Sequence, residues 1–223
     1  MKRPARRPPP SPSSTRPRAS LRSSKRQYHH GDLRTALVEA AAKMAAESGP
    51  ASVTLREVAR RAGVSQAAPY HHFADKAALL AGVADEGFRR FDAHQAAALA
   101  QASADPVERL AELGVSYLRF AIDAPHYFQV MFRPSLVETT RSADFDALST
   151  RAFERLLTAT TEARRARGQH DADPYPAALA MWAIPHGLAG LYLEQDGHAG
   201  MAPALLERLV RDASNALAGA ALG

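Results

Sequence analysis

The side chains between residues 66 and 70 are of types that can read nucleic acid if they lie on a short helix in a major groove. The amide of Gln66 can form a bidentate pair with adenine, and Ala67 and Ala68 are small enough to approach a thymine methyl group. Tyr70 can donate its hydroxyl to a phosphate or lay its ring against a sugar. This chemistry is recognition rather than catalysis.

Two short helices must position these side chains. Residues 54–57 read Thr-Leu-Arg-Glu, the pattern of a capping box in which the threonine is the N-cap and the glutamate is the third helical residue. Gly63 ends that helix, and Ser65 can cap a second helix that runs towards Phe73. Two short helices joined by a turn of three or four residues containing glycine form a helix-turn-helix.

The stretch from Asp32 to Leu80 resembles the DNA-binding domain of TetR-family regulators. The shared features are the threonine-capped helix, Ala-Gly-Val-Ser at 62–65, Tyr-x-His-Phe at 70–73, and a lysine followed by Ala-Ala-Leu-Leu at 76–80. The resemblance implies contacts to the DNA backbone from Thr54, Tyr70, His72 and Lys76, and a contact to a base or phosphate from Arg56.

Several of these side chains have a purely structural alternative. Thr54 and Ser65 can cap helices without DNA, and the two histidines can simply face solvent. Pro69 stands where the family more usually has a leucine-type residue and removes the first intrahelical hydrogen bond, which leaves the direction of Gln66 open. The candidate DNA-binding residues are Thr54, Arg56, Ser65, Gln66, Ala67, Tyr70, His71, His72 and Lys76.

The net charge of +5 is unevenly distributed. Residues 1–31 hold nine Lys or Arg and no Asp or Glu, whereas the other residues hold 19 basic and 23 acidic side chains. We predict that residues 1–30 form a disordered, Pro/Arg/Ser-rich arm attracted to nucleic acid, with an organelle transit peptide as the minor alternative. Cysteine is absent, and neither a secretory segment nor a run of about 20 apolar residues occurs, so we expect a cytoplasmic protein.

The chain is rich in alanine and shows helical spacing without strand patterns. Asp32 and Asp75 can cap helices that flank the helix-turn-helix, and further helices are expected at about 106–122, 125–134, 143–167, 174–194 and 203–217. The sequence therefore predicts an all-α fold of about nine helices. A three-helix, helix-turn-helix DNA-binding domain is expected at 31–80 and a second helical domain at 81–223.

Trp182, His186 and Gly187 resemble the Trp/His-Gly signature of one TetR C-terminal subgroup. That resemblance implies that residues 81–223 bind a small effector, which we expect to be apolar or amphipathic, and form a homodimer through the last two helices. Pro185 should kink its helix, which either opens a cavity or is merely tolerated. His186 can orient a polar ligand or satisfy a helix carbonyl.

Aromatic side chains at helical spacing supply the candidates for the effector pocket, although such residues more often form plain core. The candidates are Tyr117, Phe120, Tyr127, Phe128, Met131, Phe132, Phe153, Trp182 and His186.

The sequence contains no nucleophile elbow, Walker-type phosphate loop, dinucleotide fingerprint or zinc-protease motif. We therefore predict a regulator that is not an enzyme and has no cofactor, metal site or membrane partner. In this interpretation a homodimeric repressor binds a palindromic operator in double-stranded DNA and a small effector releases it. The alternatives are a constitutive or architectural DNA-binding protein without an effector, and a helical enzyme or ligand carrier whose helix-turn-helix is vestigial.

Overall fold

A computed structural model of the chain describes residues 30–132, 142–194 and 201–220. These ranges are helical and contain no strand, which confirms the all-α prediction. The predicted arm at 1–30 lies almost wholly outside them and stays a prediction. The α-helices are α1 (His30–Ser48), α2 (Leu55–Arg61), α3 (Lys76–Gln101), α4 (Pro106–Asp123), α5 (Pro125–Met131), α6 (Ala143–Ala166), α7 (Tyr175–Glu194) and α8 (Pro203–Gly219).

Side-chain caps fix where several of these helices begin. The Thr54 hydroxyl accepts from the third backbone N–H of α2 at 3.2 Å, and the Asp75 carboxylate accepts from the third N–H of α3 at 2.8 Å. Both caps were predicted, and Asp105 and Ser142 cap α4 and α6 in the same way. Each cap stabilises its helix by about 1 kcal/mol. α1 starts at His30, so Asp32 lies inside the helix and the prediction that it is the N-cap is wrong.

The predicted helix from Ser65 to Phe73 is wrong. A 3-10 helix over Ala68–His71 stands in its place. Its N-cap is Ala67, so Ser65 is not the cap. Pro69 has no N–H, so the Ser65 carbonyl accepts instead from the N–H of Ala68 at 3.0 Å, which is the bonding pattern of a 3-10 helix. The described residues thus contain eight α-helices, with this 3-10 helix in the place of the predicted recognition helix.

Helix α4 lies at the centre and packs against α3, α6, α7 and α8. It comes close to α8 at Gly114, where a Cβ would lie 2.6 Å from Cγ1 of Val210. α1 packs on α3 and α5, so one hydrophobic core runs from the helix-turn-helix into the later helices. Helix α3 continues through residue 80, where the boundary between the two domains was predicted. The division into two domains stays a prediction.

Helix α7 continues on both sides of the buried Pro185. Because proline lacks an N–H, the Met181 carbonyl has no i+4 helical donor there. None of the helices in the described part of the chain is long and apolar enough to span a membrane.

Candidate nucleic-acid interface and ligand cavity

The turn after α2 and the 3-10 helix form an exposed surface, which we call the recognition segment (residues 65–71). The side chains of Ser65, Gln66, Ala67, Tyr70 and His71 are exposed there. Tyr70 keeps 56% of its surface accessible, while Pro69 is buried beneath it. The segment therefore holds its polar and aromatic side chains outward on a packed base.

Thr54 and Arg56 are both exposed at the start of α2. The Thr54 oxygen serves as the helix cap, so only its O–H stays available as a donor to a phosphate. The expected capping box is half formed, because the Glu57 carboxylate accepts from Arg60 Nε at 2.8 Å. Arg56 is thus an exposed guanidinium near an ion pair, Arg60 with Glu57, whose charges cancel.

His72 and Lys76 are half-buried. The Lys76 ammonium donates to the carbonyl of Ala51 at 2.8 Å, which ties the first residue of α3 to the turn before α2. An ammonium has three donors, so this bond leaves two for an anion. Lys76 consequently fastens the helix-turn-helix whether or not DNA is present.

The helix-turn-helix is only weakly basic. Residues 31–80 contain six Lys or Arg and five Asp or Glu. Two of the arginines are already paired, Arg60 with Glu57 and Arg61 with Glu47, the latter at 2.5 Å. The basic excess of the chain lies in residues 1–31 rather than on this surface.

A cavity of about 720 Å³ lies between α3, α4, α5, α6 and α7. Its size suits a small organic ligand. Most of the wall is aromatic or aliphatic, and a few polar side chains interrupt it. The lining residues are Phe88, Phe91, Gln95, Tyr117, Met131, Phe132, Phe145, Ser149, Thr150, Ala152, Phe153, Glu154, Leu156, Tyr175, Leu179, Trp182 and His186.

Six of the nine aromatic, methionine and histidine candidates are in the wall: Tyr117, Met131, Phe132, Phe153, Trp182 and His186. Phe120, Tyr127 and Phe128 are not, which corrects their predicted position.

These three side chains pack away from the cavity. Phe120 lies against the ring of Phe91 with centroids 5.3 Å apart. Phe128 forms a layer behind the wall, 5.8 Å from Tyr117. Tyr127 turns towards α1, as described below. Helical spacing predicts that a side chain lies on the buried face of its helix, but it does not predict which element that face packs against.

Four polar lining residues carried no sequence signal that distinguished them from solvated helix faces. They are Gln95, Ser149, Thr150 and Glu154. Gln95 is 4% exposed, and its oxygen accepts from Arg155 Nη1 at 3.1 Å. These residues give one side of the cavity a polar character that the aromatic pattern did not indicate.

At the inner wall, the hydroxyl of Tyr117 lies 2.7 Å from Nδ1 of His186. Burial raises the pKa of Tyr117 well above its usual range. Burial lowers the pKa of His186. The pair is therefore neutral near pH 7, with a phenol beside a neutral imidazole.

A second polar cluster links the helix-turn-helix to the cavity helices. The Tyr127 hydroxyl of α5 donates to Glu39 Oε2 of α1 at 2.7 Å, and the Arg90 guanidinium of α3 lies 4.4 Å from the Tyr127 ring centroid. Arg90 also reaches Glu39 at 3.4 Å. We call these three residues the α1–α5 clasp. Burial would raise the pKa of Glu39, but Tyr127, Lys43 and Arg90 together lower it.

Two family models match the chain. The model of bacterial regulatory proteins of the tetR family matches residues 37–83, and that of the tetracyclin repressor-like C-terminal domain matches residues 110–216. The chain belongs to the TetR family. This TetR-family protein is a DNA-binding transcriptional regulator, which confirms the predicted family and function class. The Trp/His-Gly subgroup stays a prediction.

Relatives of this TetR-family protein agree with that assignment. The HTH-type transcriptional regulator BetI of Rhizobium meliloti (strain 1021) is 38% identical over 80 residues, which are 36% of this chain and 39% of BetI. A protein of unknown function from Rhodococcus sp. RHA1 is 30% identical, with a TM-score of 0.70 over 87% of this chain and 97% of that one. The structure of AibR with isovaleryl coenzyme A and operator DNA shares the fold at 17% identity, with a TM-score of 0.66 over 80% of this chain and 96% of AibR.

Proposed function

We propose that this protein is a homodimeric repressor that leaves a palindromic operator when a small molecule fills the cavity between α3 and α7. The observation that supports this proposal is the continuity of α3. The helix begins at Lys76, beside the recognition segment, and its later residues Phe88, Phe91 and Gln95 line the cavity. A ligand in the cavity thus contacts the same rigid element that positions the DNA-binding surface.

The recognition segment has side chains for both kinds of DNA contact. We propose that Gln66 pairs with a base edge, with Ala67 beside a thymine methyl group. Tyr70 and His71 then lie at the sugar-phosphate backbone, together with Thr54, Arg56, Ser65, His72 and Lys76. The exposure of Tyr70, His71, Thr54, Arg56 and Ser65 and the two remaining donors of Lys76 support these roles, and His72 is half-buried beside them.

The basic arm supplies attraction that the weakly charged helix-turn-helix lacks. Nine Lys or Arg lie within residues 1–31. Each phosphate that they neutralise releases counterions, which adds affinity without sequence preference and makes binding dependent on salt.

The effector acts by its different affinity for two arrangements of the DNA-binding helices. A ligand that binds equally well to both arrangements shifts nothing. The structure of AibR, which shares this fold, contains isovaleryl coenzyme A and operator DNA, which supports a proposal with both kinds of partner. The aromatic wall of the present cavity favours an apolar or amphipathic effector.

The dimer is proposed to form through α7 and α8. Leu191 is 49% exposed on α7 and Leu209 is 43% exposed on α8, so both helices show apolar side chains to solvent. Two copies paired there about a two-fold axis would offer two recognition segments to half-sites about 34 Å apart.

Genome-wide footprinting of the purified protein tests the operator. We expect sites with two-fold symmetry whose half-site centres are separated by about one helical turn or a multiple of it. Binding only without sequence preference, or to asymmetric single sites, would contradict the proposal.

Substitutions separate the roles of individual side chains at the recovered sites. Tyr70→Ala should weaken binding at every site, because backbone contacts carry no sequence information. Gln66→Ala should instead relax the preference at one base position, by about 1–3 kcal/mol. Gln101→Ala, an exposed glutamine at the far end of α3, is the matched control and should leave both unchanged.

A further inference from the structure

We propose that the cavity takes an uncharged aromatic compound with one hydrogen-bond acceptor of the carbonyl class, and that His186 donates its Nε2–H to that acceptor. The inference rests on the proposed role of the cavity as the effector site. It goes further by assigning the chemical class of the ligand and the residue that recognises it.

The wall of the cavity favours an aromatic ligand. Eight of the seventeen lining residues are Phe, Tyr or Trp, on α3, α4, α6, α7 and at the end of α5. Trp182 lies with its ring 6.4 Å from those of both Phe132 and Phe153, at angles of 47° and 74°. Aromatic pairs prefer such tilted or edge-to-face arrangements, and a flat ligand between these rings can adopt them with several neighbours.

The hydrogen-bond direction at the inner wall determines what His186 offers. A neutral phenol O–H is a better donor than an imidazole N–H, and an imidazole nitrogen is a better acceptor than a phenol oxygen. The Tyr117 hydroxyl therefore donates to Nδ1 of His186, 2.7 Å away. Because Nδ1 accepts, the neutral imidazole carries its proton on Nε2.

His186 therefore accepts from the Tyr117 hydroxyl at one ring nitrogen and carries an N–H at the other. His186 itself lines the cavity, so its Nε2–H is the donor that a ligand meets there. A carbonyl oxygen accepts one such bond without gaining a proton, and it needs no charged partner.

The charges around the cavity favour an uncharged ligand. Among the lining residues that the structure describes, none is Lys or Arg, and Glu154 is the one carboxylate. A ligand carboxylate would lose its hydration beside aromatic rings and a neutral donor, which costs far more than the transfer of a ketone. Glu154 itself is exposed, so solvent screens its attraction for a ligand cation.

Four naphthalene probes of matched shape test the proposal on the full chain. They are 2-acetylnaphthalene, 2-ethylnaphthalene, 2-naphthoate and 1-(2-naphthyl)ethylammonium, which differ in acceptor and charge. Dissociation constants are measured by calorimetry, and melting by circular dichroism confirms that each variant is folded. The variants are His186→Phe and Tyr117→Phe, with His170→Phe, an exposed histidine outside the cavity, as the matched control.

The informative quantity is the ratio of the affinities for 2-acetylnaphthalene and 2-ethylnaphthalene. Both probes share the naphthalene ring, so the ratio cancels the general attraction of an apolar cavity for hydrocarbon. We expect His186→Phe to shift this ratio against the ketone by about 3- to 10-fold, the value of one neutral hydrogen bond. Tyr117→Phe should shift it less, since His186 keeps one N–H but loses its fixed tautomer. His170→Phe should leave the ratio unchanged, and both charged probes should bind at least about 10-fold more weakly than the ketone.

An unchanged ratio in His186→Phe overturns the assigned donor. A naphthoate or ammonium probe that binds as tightly as the ketone overturns the uncharged class, and no binding by any probe overturns the aromatic class. Operator binding by His186→Phe without any probe distinguishes these failures from failure of the proposed function. If that variant still binds the operator sites, the repressor proposal stands independently of the ligand class.

Discussion

Replacement of Tyr127 by phenylalanine tests whether the α1–α5 clasp holds the DNA-binding helices to the cavity helices. The substitution removes one hydroxyl and keeps the ring, which is fully buried. The lost bond is 2.7 Å long and its acceptor is a carboxylate, because the pKa of Glu39 is lowered below its ordinary value. Hydrogen bonds to charged groups contribute about 1.5–3 kcal/mol.

Two features place the Tyr127→Phe cost at the low end of that range. The Glu39 side chain is 30% exposed, and it keeps Lys43 at 3.3 Å and Arg90 at 3.4 Å as partners. We therefore expect about 1.5 kcal/mol of lost stability, which lowers the melting temperature by about 3–6 °C for a chain of this size. Tyr70→Phe, on a ring with 56% exposure, is the control and should change stability by less than about 0.5 kcal/mol.

Thermal and urea melts of Tyr127→Phe, Glu39→Gln and the double variant form a double-mutant cycle. If the bond couples the two helices, the summed stability losses of the two single variants should exceed the loss of the double variant by about 0.5–1.5 kcal/mol. The reason is that either change alone already removes the same charge-assisted bond. A Tyr127→Phe melting curve that matches that of Tyr70→Phe, or strictly additive effects, would refute the reasoning.

Three further outcomes are expected. Gly114→Ala should destabilise the protein by about 1–3 kcal/mol, because its Cβ would lie 2.6 Å from Val210, whereas Gly190→Ala in α7 meets nothing within 4 Å and should be neutral or stabilising in chemical denaturation. Acidification below about pH 6.5 should reduce stability, because burial lowers the pKa of His186 and only the unfolded form is protonated in that window; His186→Phe should flatten this part of the pH–stability curve. Deletion of residues 2–27 should weaken operator binding and reduce its dependence on salt in titrations at several salt concentrations, and an unchanged slope would exclude the arm from binding.

Sequence reasoning located the helices well because their ends are determined by local chemistry. The caps at Thr54 and Asp75 depend on one side chain and the backbone within three residues. Pro69 is the instructive exception. Its chemistry was visible in the sequence, but the family resemblance favoured a regular helix, and the missing N–H at that position produced a 3-10 turn instead.

The cavity was only partly predictable because its wall depends on which helices become neighbours. Tyr127 and Met131 lie one turn apart on α5, yet Tyr127 faces Glu39 of α1 and Met131 faces the cavity. Gln95 reads as a solvent-facing helix position, yet it is buried once α3 and α6 are brought together. Helical period gives the direction of a side chain, while packing decides what that direction meets.

The length of α3 has a mechanical consequence. From Phe91 in the cavity wall to Lys76 at the recognition segment the helix runs roughly 22 Å, at 1.5 Å per residue. A tilt of about 5° imposed at the cavity end displaces the other end by roughly 2 Å, more than hydrogen bonds to base edges tolerate. A gene truncated at residue 80 would end α3 after its first turn, so the recognition segment would lose the helix that connects it to the cavity.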